Sequence, residues 1–189
     1  GVTEMPFGTG SLRQIAVELG NGNDRLTIDN SVANILGTYE IDYAGQDGDD
    51  EAVVIGGSGG EQFTIDLESV SFVSSAGSTE LETTSVETVE LDGGGGTNTL
   101  GVLATAGDDA LSITPNTSAN VTTISGFNTT GQAIATLRVQ RNASTSMTGN
   151  GGTDSLGIDG SAGEADIATG SIAIGATMPF THSGFSSGS

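Results

Sequence analysis

Glycine-rich corners recur along this chain in register, and each leads into a short apolar run. The segment GGGGTNTLGVLATAGDDALSIT (93–114) lines up without gaps on GQDGDDEAVVIGGSGGEQFTID (45–66). It lines up again on GNGGTDSLGIDGSAGEADIATG (149–170). In each copy a glycine (Gly48, Gly96, Gly152) precedes Asp50, Asn98 or Asp154 by two residues, and Ala52, Leu100 or Leu156 follows. Eleven positions past the first glycine stands a second, Gly59, Gly107 or Gly163. A partial fourth copy lies upstream, where AVELGNGNDRLTID (16–29) echoes TVELDGGGGTNTLGV (88–102). Self-similarity of this kind points to stacked structural units, each burying its apolar residues against its neighbours.

Between the corners lie short runs rich in valine, isoleucine and threonine, at 26–29, 52–55, 63–65, 70–73, 86–91, 111–113, 121–124, 134–139 and 172–174. Several alternate apolar with polar residues, the period of a half-buried strand. Serine, threonine and glycine interrupt every 3.6-residue stripe, so helices are not expected. The pattern reads as all-β, a parallel β-solenoid with a β-sandwich as the alternative. Hydrophobic residues make up 34% of the chain and aromatics 4%, too few for a thick core but enough for a thin one stacked along an axis.

Four Lys+Arg against 24 Asp+Glu leave a formal charge of −20. Nucleic acid is excluded as a partner, since phosphate binding needs a basic patch. The same charge disfavours an anionic membrane surface, and no apolar run approaches the ~20 residues of a membrane span, so no membrane insertion is expected. Self-repulsion on this scale opposes compaction unless bound cations neutralise part of it; the competing reading is a solubilising surface. There is no cysteine, hence neither a disulfide nor a thiolate metal site.

The corners carry the chemistry that would bind such cations. Residues 93–101 (GGGGTNTLG) fit a nine-residue Gly-Gly-x-Gly-x-Asp-x-apolar-x pattern with asparagine in the acidic place, and 56–64 (GGSGGEQFT) fit it with glutamate. Asp24, Asp50, Asp109 and Asp154 hold the acidic place in looser copies, with Asp47 in the same corner as Asp50. Calcium takes six to eight oxygens, and a glycine-rich turn aims several carbonyls at one point while a carboxylate supplies charge. The candidate calcium ligands are therefore Asp24, Asp47, Asp50, Glu61, Asn98, Asp109 and Asp154. The alternative is turn chemistry alone, because glycine and aspartate both accept positive φ and aspartate bonds its own backbone.

From 85–93 (SVETVELDG) and 105–109 (TAGDD) onward, the chain resembles the RTX, or hemolysin-type, calcium-binding repeats of large secreted bacterial proteins, and most of all divergent forms in giant cell-surface proteins. The resemblance runs over roughly residues 16–170, by recurring motif and not by continuous identity. It implies a right-handed parallel β-roll with calcium between successive turns. It also implies an extracellular or cell-surface location and a structural or adhesive role. One departure matters: the family's repeats follow one another every nine residues, whereas here paired glycines stand eleven apart and the pairs are separated by about fifty residues.

The remaining constellations favour no enzyme. His182 is the one histidine, which rules out most triads and zinc sites. Adjacent acids such as Asp49/Asp50 and Asp108/Asp109 suit ion binding or solvation better than glycoside hydrolysis. The alternative function is a polysaccharide-binding or polysaccharide-degrading β-helix, with surface glycans as partner. No tryptophan and two tyrosines, Tyr39 and Tyr43, give it a thin stacking platform. Asn116, Asn120, Asn128 and Asn142 each begin an N-x-Ser/Thr triplet and are candidate glycosylation acceptors. Met5-Pro6-Phe7 returns as Met178-Pro179-Phe180. The expected organisation is a linker or junction at 1–15, a repeat β-solenoid domain at 16–176 and, at 177–189, a linker or the start of a next copy. Neighbouring copies of the module are then the expected partners, joined end to end in a tandem array, fibre or surface layer.

Overall fold

The computed structural model describes residues 14–29, 39–67, 71–74, 79–116, 121–127, 131, 133–141, 144–159 and 180–183. They form an all-β structure with no helix among the described residues, and so none long and apolar enough to cross a membrane. In chain order the strands are Gln14–Glu18 (β1), Arg25–Asp29 (β2), Tyr39–Ala44 (β3), Glu51–Ile55 (β4), Gln62–Asp66 (β5), Ser71–Ser74 (β6), Thr79–Thr84 (β7) and Thr88–Asp92 (β8). Thr99–Leu103 (β9), Ala110–Asn116 (β10), Val121–Phe127 (β11), Ala133–Gln140 (β12), Ser144–Thr148 (β13), Ser155–Asp159 (β14) and Phe180–Ser183 (β15) follow. Val86, expected inside a strand, lies instead in the corner before β8. The run at 172–174, Asn120, Asn128, Asn142 and the first Met-Pro-Phe copy fall outside the described residues.

Two open sheets result. The first has seven strands in the order β1-β3-β7-β6-β5-β9-β13, and the second eight, β15-β14-β10-β11-β12-β8-β4-β2. Most neighbours are parallel. The exceptions are two antiparallel meanders, β5-β6-β7 in the first sheet and β10-β11-β12 in the second. Strand alternation sends Tyr43, Phe63, Ile65, Leu81, Leu100, Val102 and Met147 inward from the first sheet. Ala52, Val54, Val89, Leu91, Leu111, Ile113, Ile124, Leu137, Val139 and Leu156 come from the second, and one cluster joins them.

The corners explain the spacing seen in the sequence. A corner (45–50) and the strand after it (51–55) take eleven residues together and carry the chain from the first sheet to the second. The next corner (56–61) brings it back. Eleven residues is therefore half a circuit, and corners adjacent in sequence lie at opposite edges. Corners 93–98 and 104–109 repeat this in the opposite phase, the first leaving the second sheet and the second returning to it. The short corner 85–87 causes the shift, being a third crossing before 93–98, while the β5-β6-β7 meander stays in one sheet and adds none.

Candidate functional site

The six corners 19–24, 45–50, 56–61, 93–98, 104–109 and 149–154 share glycine at the fourth position and Asp, Glu or Asn at the sixth. The fourth glycine adopts positive φ at Gly22, Gly48, Gly96 and Gly152, which turns the chain back toward the core. The sixth side chain then points inward. Asp50, Glu61, Asn98, Asp109 and Asp154 are the buried polar residues among those described, each 3% exposed or less.

What these side chains touch is the corner stacked against them. The Asp24 amide donates to Asp50 Oδ1 at 2.8 Å, and the Asp50 amide to Glu87 Oε2 at 2.7 Å. The Glu61 amide donates to Asn98 Oδ1 at 2.9 Å and the Asp109 amide to Asp154 Oδ1 at 3.1 Å. In each case the carbonyl of the same residue accepts from the partner corner: Glu51 to Asp24, Thr88 to Asp50, Thr99 to Glu61 and Ser155 to Asp109. The partners stand 26, 37 and 45 residues apart, which is why no local motif exposes them. Glu87 completes one column from a short corner that has no glycine, where Ser85 takes the left-handed conformation instead.

The second oxygen separates the positions. Thr105 Oγ1 lies 2.8 Å from both oxygens of Asp109 and donates to that carboxylate. Asn98 uses its amide nitrogen to donate to the carbonyls of Gly95 and Arg141, each at 3.0 Å. Asp24 Oδ2, Asp50 Oδ2, Glu61 Oε1 and Asp154 Oδ2, by contrast, are buried with no partner. Asp47 stands apart: it is exposed, and its carbonyl accepts from the Gly22 amide. Of the seven expected ligands, the fold thus stacks Asp24 on Asp50 and, in other columns, Glu61 on Asn98 and Asp109 on Asp154.

A buried carboxylate oxygen without a donor is costly, on the order of 1–3 kcal/mol and more when charged. A cation bridging such oxygens removes that cost, and the donor set, all oxygen, suits a hard divalent ion. Oxygens in that condition are found on Asp24, Asp50, Glu61 and Asp154. At Asn98 the amide already satisfies two carbonyls that an ion would otherwise coordinate. At Asp109 the threonine hydroxyl satisfies the carboxylate.

Two further features were not read from the sequence. Tyr43, 1% exposed, has its hydroxyl buried without a partner. Burial first, and then the charges of Asp50, Asp24 and Glu87, raise its pKa above the ordinary 10.0. The folded state then holds its phenol proton where the unfolded chain has lost it. Stability is accordingly unaffected below about pH 10 and falls as pH climbs past that point. Denaturant melts in chelator across alkaline pH should show this slope, and Tyr43→Phe should flatten it.

On the outer face of the first sheet, carboxylate oxygens of Glu40, Asp42 and Glu82 lie within 4.8 Å of one another. Gln14 donates to Asp42 Oδ2 at 2.7 Å beside them. The alternation of acids in β3 and β7 was legible as one strand face, but not the pairing that sets Asp42 opposite Glu82. The described arginines lie elsewhere: Arg25 pairs with Glu51, Arg138 with Glu90 and Arg141 with Asp92. Exposed pairs of this kind add little stability and leave the corner carboxylates unneutralised.

Comparison of the chain with protein-family models, curated proteins and solved structures returns no match.

Proposed function

We propose that this chain is a calcium-stabilised structural module of an extracellular surface protein, built as a right-handed parallel β-solenoid of the RTX type and acting without catalysis. The observation that carries the reading is the set of buried, unpartnered oxygens on Asp24, Asp50, Glu61 and Asp154, at corners that stack on other corners. The parallel pairings and the chain's repeated crossing between two sheets support the solenoid, and the −20 charge supports neutralisation by cations. Asp47, exposed at the corner's rim, sits where it would draw cations in without coordinating them.

Among the described residues β1 and β2 end the two strand orders on one side, β13 and β15 on the other. Such edges suit continuation by a neighbouring copy, which fits a fibre, a tandem array or a surface layer.

Extracellular calcium modules bind at ~10⁻⁴–10⁻³ M. A site at the tighter end, held at 100 times its dissociation constant, adds about 2.7 kcal/mol. For a chain of this size that raises the melting temperature by about 5–10 °C. The check is a pair of thermal melts, in millimolar calcium and in excess chelator; coincident curves would overturn the reading.

A further inference from the structure

The bonds between corners follow one rule, and corner 19–24 is where it breaks off. Where a chain segment leads from the first sheet to the second, the amide of a corner's sixth residue donates to a side chain of the corner after it. Asp24 donates in this way to Asp50, Asp50 to Glu87 and Asp109 to Asp154. Asp50 and Asp154 each accept through Oδ1 and keep a buried Oδ2 unpartnered. Asp24 has the same buried Oδ2, but among the described residues no amide donates to its Oδ1.

The glycines mark the same gap. A Cβ at Gly48 would stand 2.0 Å from the Gly22 carbonyl oxygen, and one at Gly152 2.5 Å from that of Gly107, because each faces the corner before it. At Gly20 and Gly22 nothing lies within 4 Å. The apolar side is open as well. Leu26 is only half-buried, whereas Ala52, Leu100 and Leu156, at the same place in their repeats, are 1% exposed or less. Leu19, in the corner itself, is 46% exposed.

Strand direction says what fits this face. In the second sheet β2 runs parallel to β4, β8 and β12. Two antiparallel steps through β11 then return β10, β14 and β15 to the direction of β2. The first sheet does the same between β1 and β13. A copy displaced along the sheet order therefore meets the edge strands in the parallel sense that the fold already uses, whereas a two-fold contact would set like edges antiparallel. Strand β15 begins at Phe180, in the Met-Pro-Phe triplet that also stands at 5–7, ahead of β1. A triplet from the lead-in to β1 thus recurs at the opposite end of the sheets.

We infer that the chain joins a second copy head to tail, β15 of one copy pairing in parallel with β2 of the next and β13 with β1. Phe180 stands beside the buried Leu156 in register, and Leu26 takes the place on its other side, because a slip of one residue would turn Leu26 outward. Thr27 then lies opposite Thr181. Such a heterologous contact leaves both ends of the stack open and propagates as a filament. It rests on the assembly reading above and adds direction and register to it.

The chain has no cysteine, so single replacements report on the contact without background. Paired strands lie about 4.8 Å apart, within the roughly 4.4–6.8 Å that a disulfide spans between Cα atoms. Full chains carrying Thr27→Cys and Thr181→Cys, mixed under mild oxidation in millimolar calcium, should give the mixed covalent dimer, while neither variant alone cross-links. Thr27→Pro is the second variant. The Glu51 amide donates to the Asp24 carbonyl, so ladder alternation turns Leu26 and Ile28 toward β4 and the Thr27 amide toward the free edge. Proline is tolerated at such an edge and should leave the melting temperature of dilute protein unchanged, yet weaken self-association in sedimentation about tenfold or more. The cysteine pair decides even where proline lowers stability. If the chain associates but self-linked dimers prevail, or Thr27→Pro associates as well as the parent, this contact is overturned and assembly through another face stands. If the parent chain stays monomeric throughout its soluble range, both fall.

Discussion

Gly94→Ala is expected to destabilise the fold by about 3–5 kcal/mol, a large share of the stability of an ordinary domain. Gly94 has φ +66°, and a Cβ there would stand 2.2 Å from the Gly57 carbonyl oxygen and 2.5 Å from that of Gly56. Both obstacles are backbone of the stacked corner, which cannot swing aside as a side chain can. The left-handed conformation contributes about 1–2 kcal/mol and the forced separation of the two corners the rest. Gly131→Ala isolates the first contribution: φ is +75°, yet nothing lies within 4 Å of the added Cβ. Its expected cost is about 1 kcal/mol. Denaturant midpoints of the two variants measure the difference, and equal losses would mean that corner stacking contributes nothing.

Asn98→Asp should have a comparable effect, with a conditional reversal. The side chain is fully buried, with Oδ1 accepting from the Glu61 amide and Nδ2 donating to the Gly95 and Arg141 carbonyls. A carboxylate keeps the first bond but sets a negative oxygen against two carbonyl oxygens. An uncompensated buried charge of this kind costs about 3–5 kcal/mol. The same three oxygens then form a cation site, so millimolar calcium should restore much of the loss in this variant. Asn98→Ala, which leaves the Glu61 amide and both carbonyls unpaired, should be destabilised whether calcium is present or not. Melts of both variants with calcium and with chelator check this, and an Asn98→Asp variant indifferent to calcium would refute it.

This pair of substitutions also shows what the sequence could and could not say. The corners were legible because glycine recurs at the fourth place, with positive φ at Gly22, Gly48, Gly96 and Gly152, and the spacing of eleven follows from a corner plus a five-residue strand. The acid or amide at the sixth place was legible as a motif, but its burial and its partner were not. Asp50 meets Asp24 and Glu87, residues 26 and 37 positions away, and nothing in the local pattern marks those distances. Asn98 looked like a weakened acid, yet its amide makes two bonds that aspartate lacks. Glu87 carried no signal, because its corner turns at Ser85 without glycine. Tyr43 was read as a ring; only its burial, with the hydroxyl left without a partner, draws attention to its polar end.

The meanders escaped for a related reason. A hairpin strand and a crossing strand share the same two-residue period, so β6 and β11 look in sequence like any other rung. Each keeps three consecutive strands in one sheet and leaves the direction of later corners unchanged. It is the glycine-free crossing at 85–87 that sets the aligned repeats 45–66 and 93–114 in opposite phase.

The order β3-β7-β6-β5-β9 also governs how such a chain assembles. Strand β5 is laid down three places beyond β3, and the two-strand gap is filled backwards by β6 and β7. A nascent chain that has emerged as far as residue 66 has made β4 and β5, but β8 and β9, which cover them, come later. Closure waits on these distant pairings, so maturation is expected to be slow, and a stalled chain presents bare strand margins to its neighbours until Thr88–Leu103 arrives.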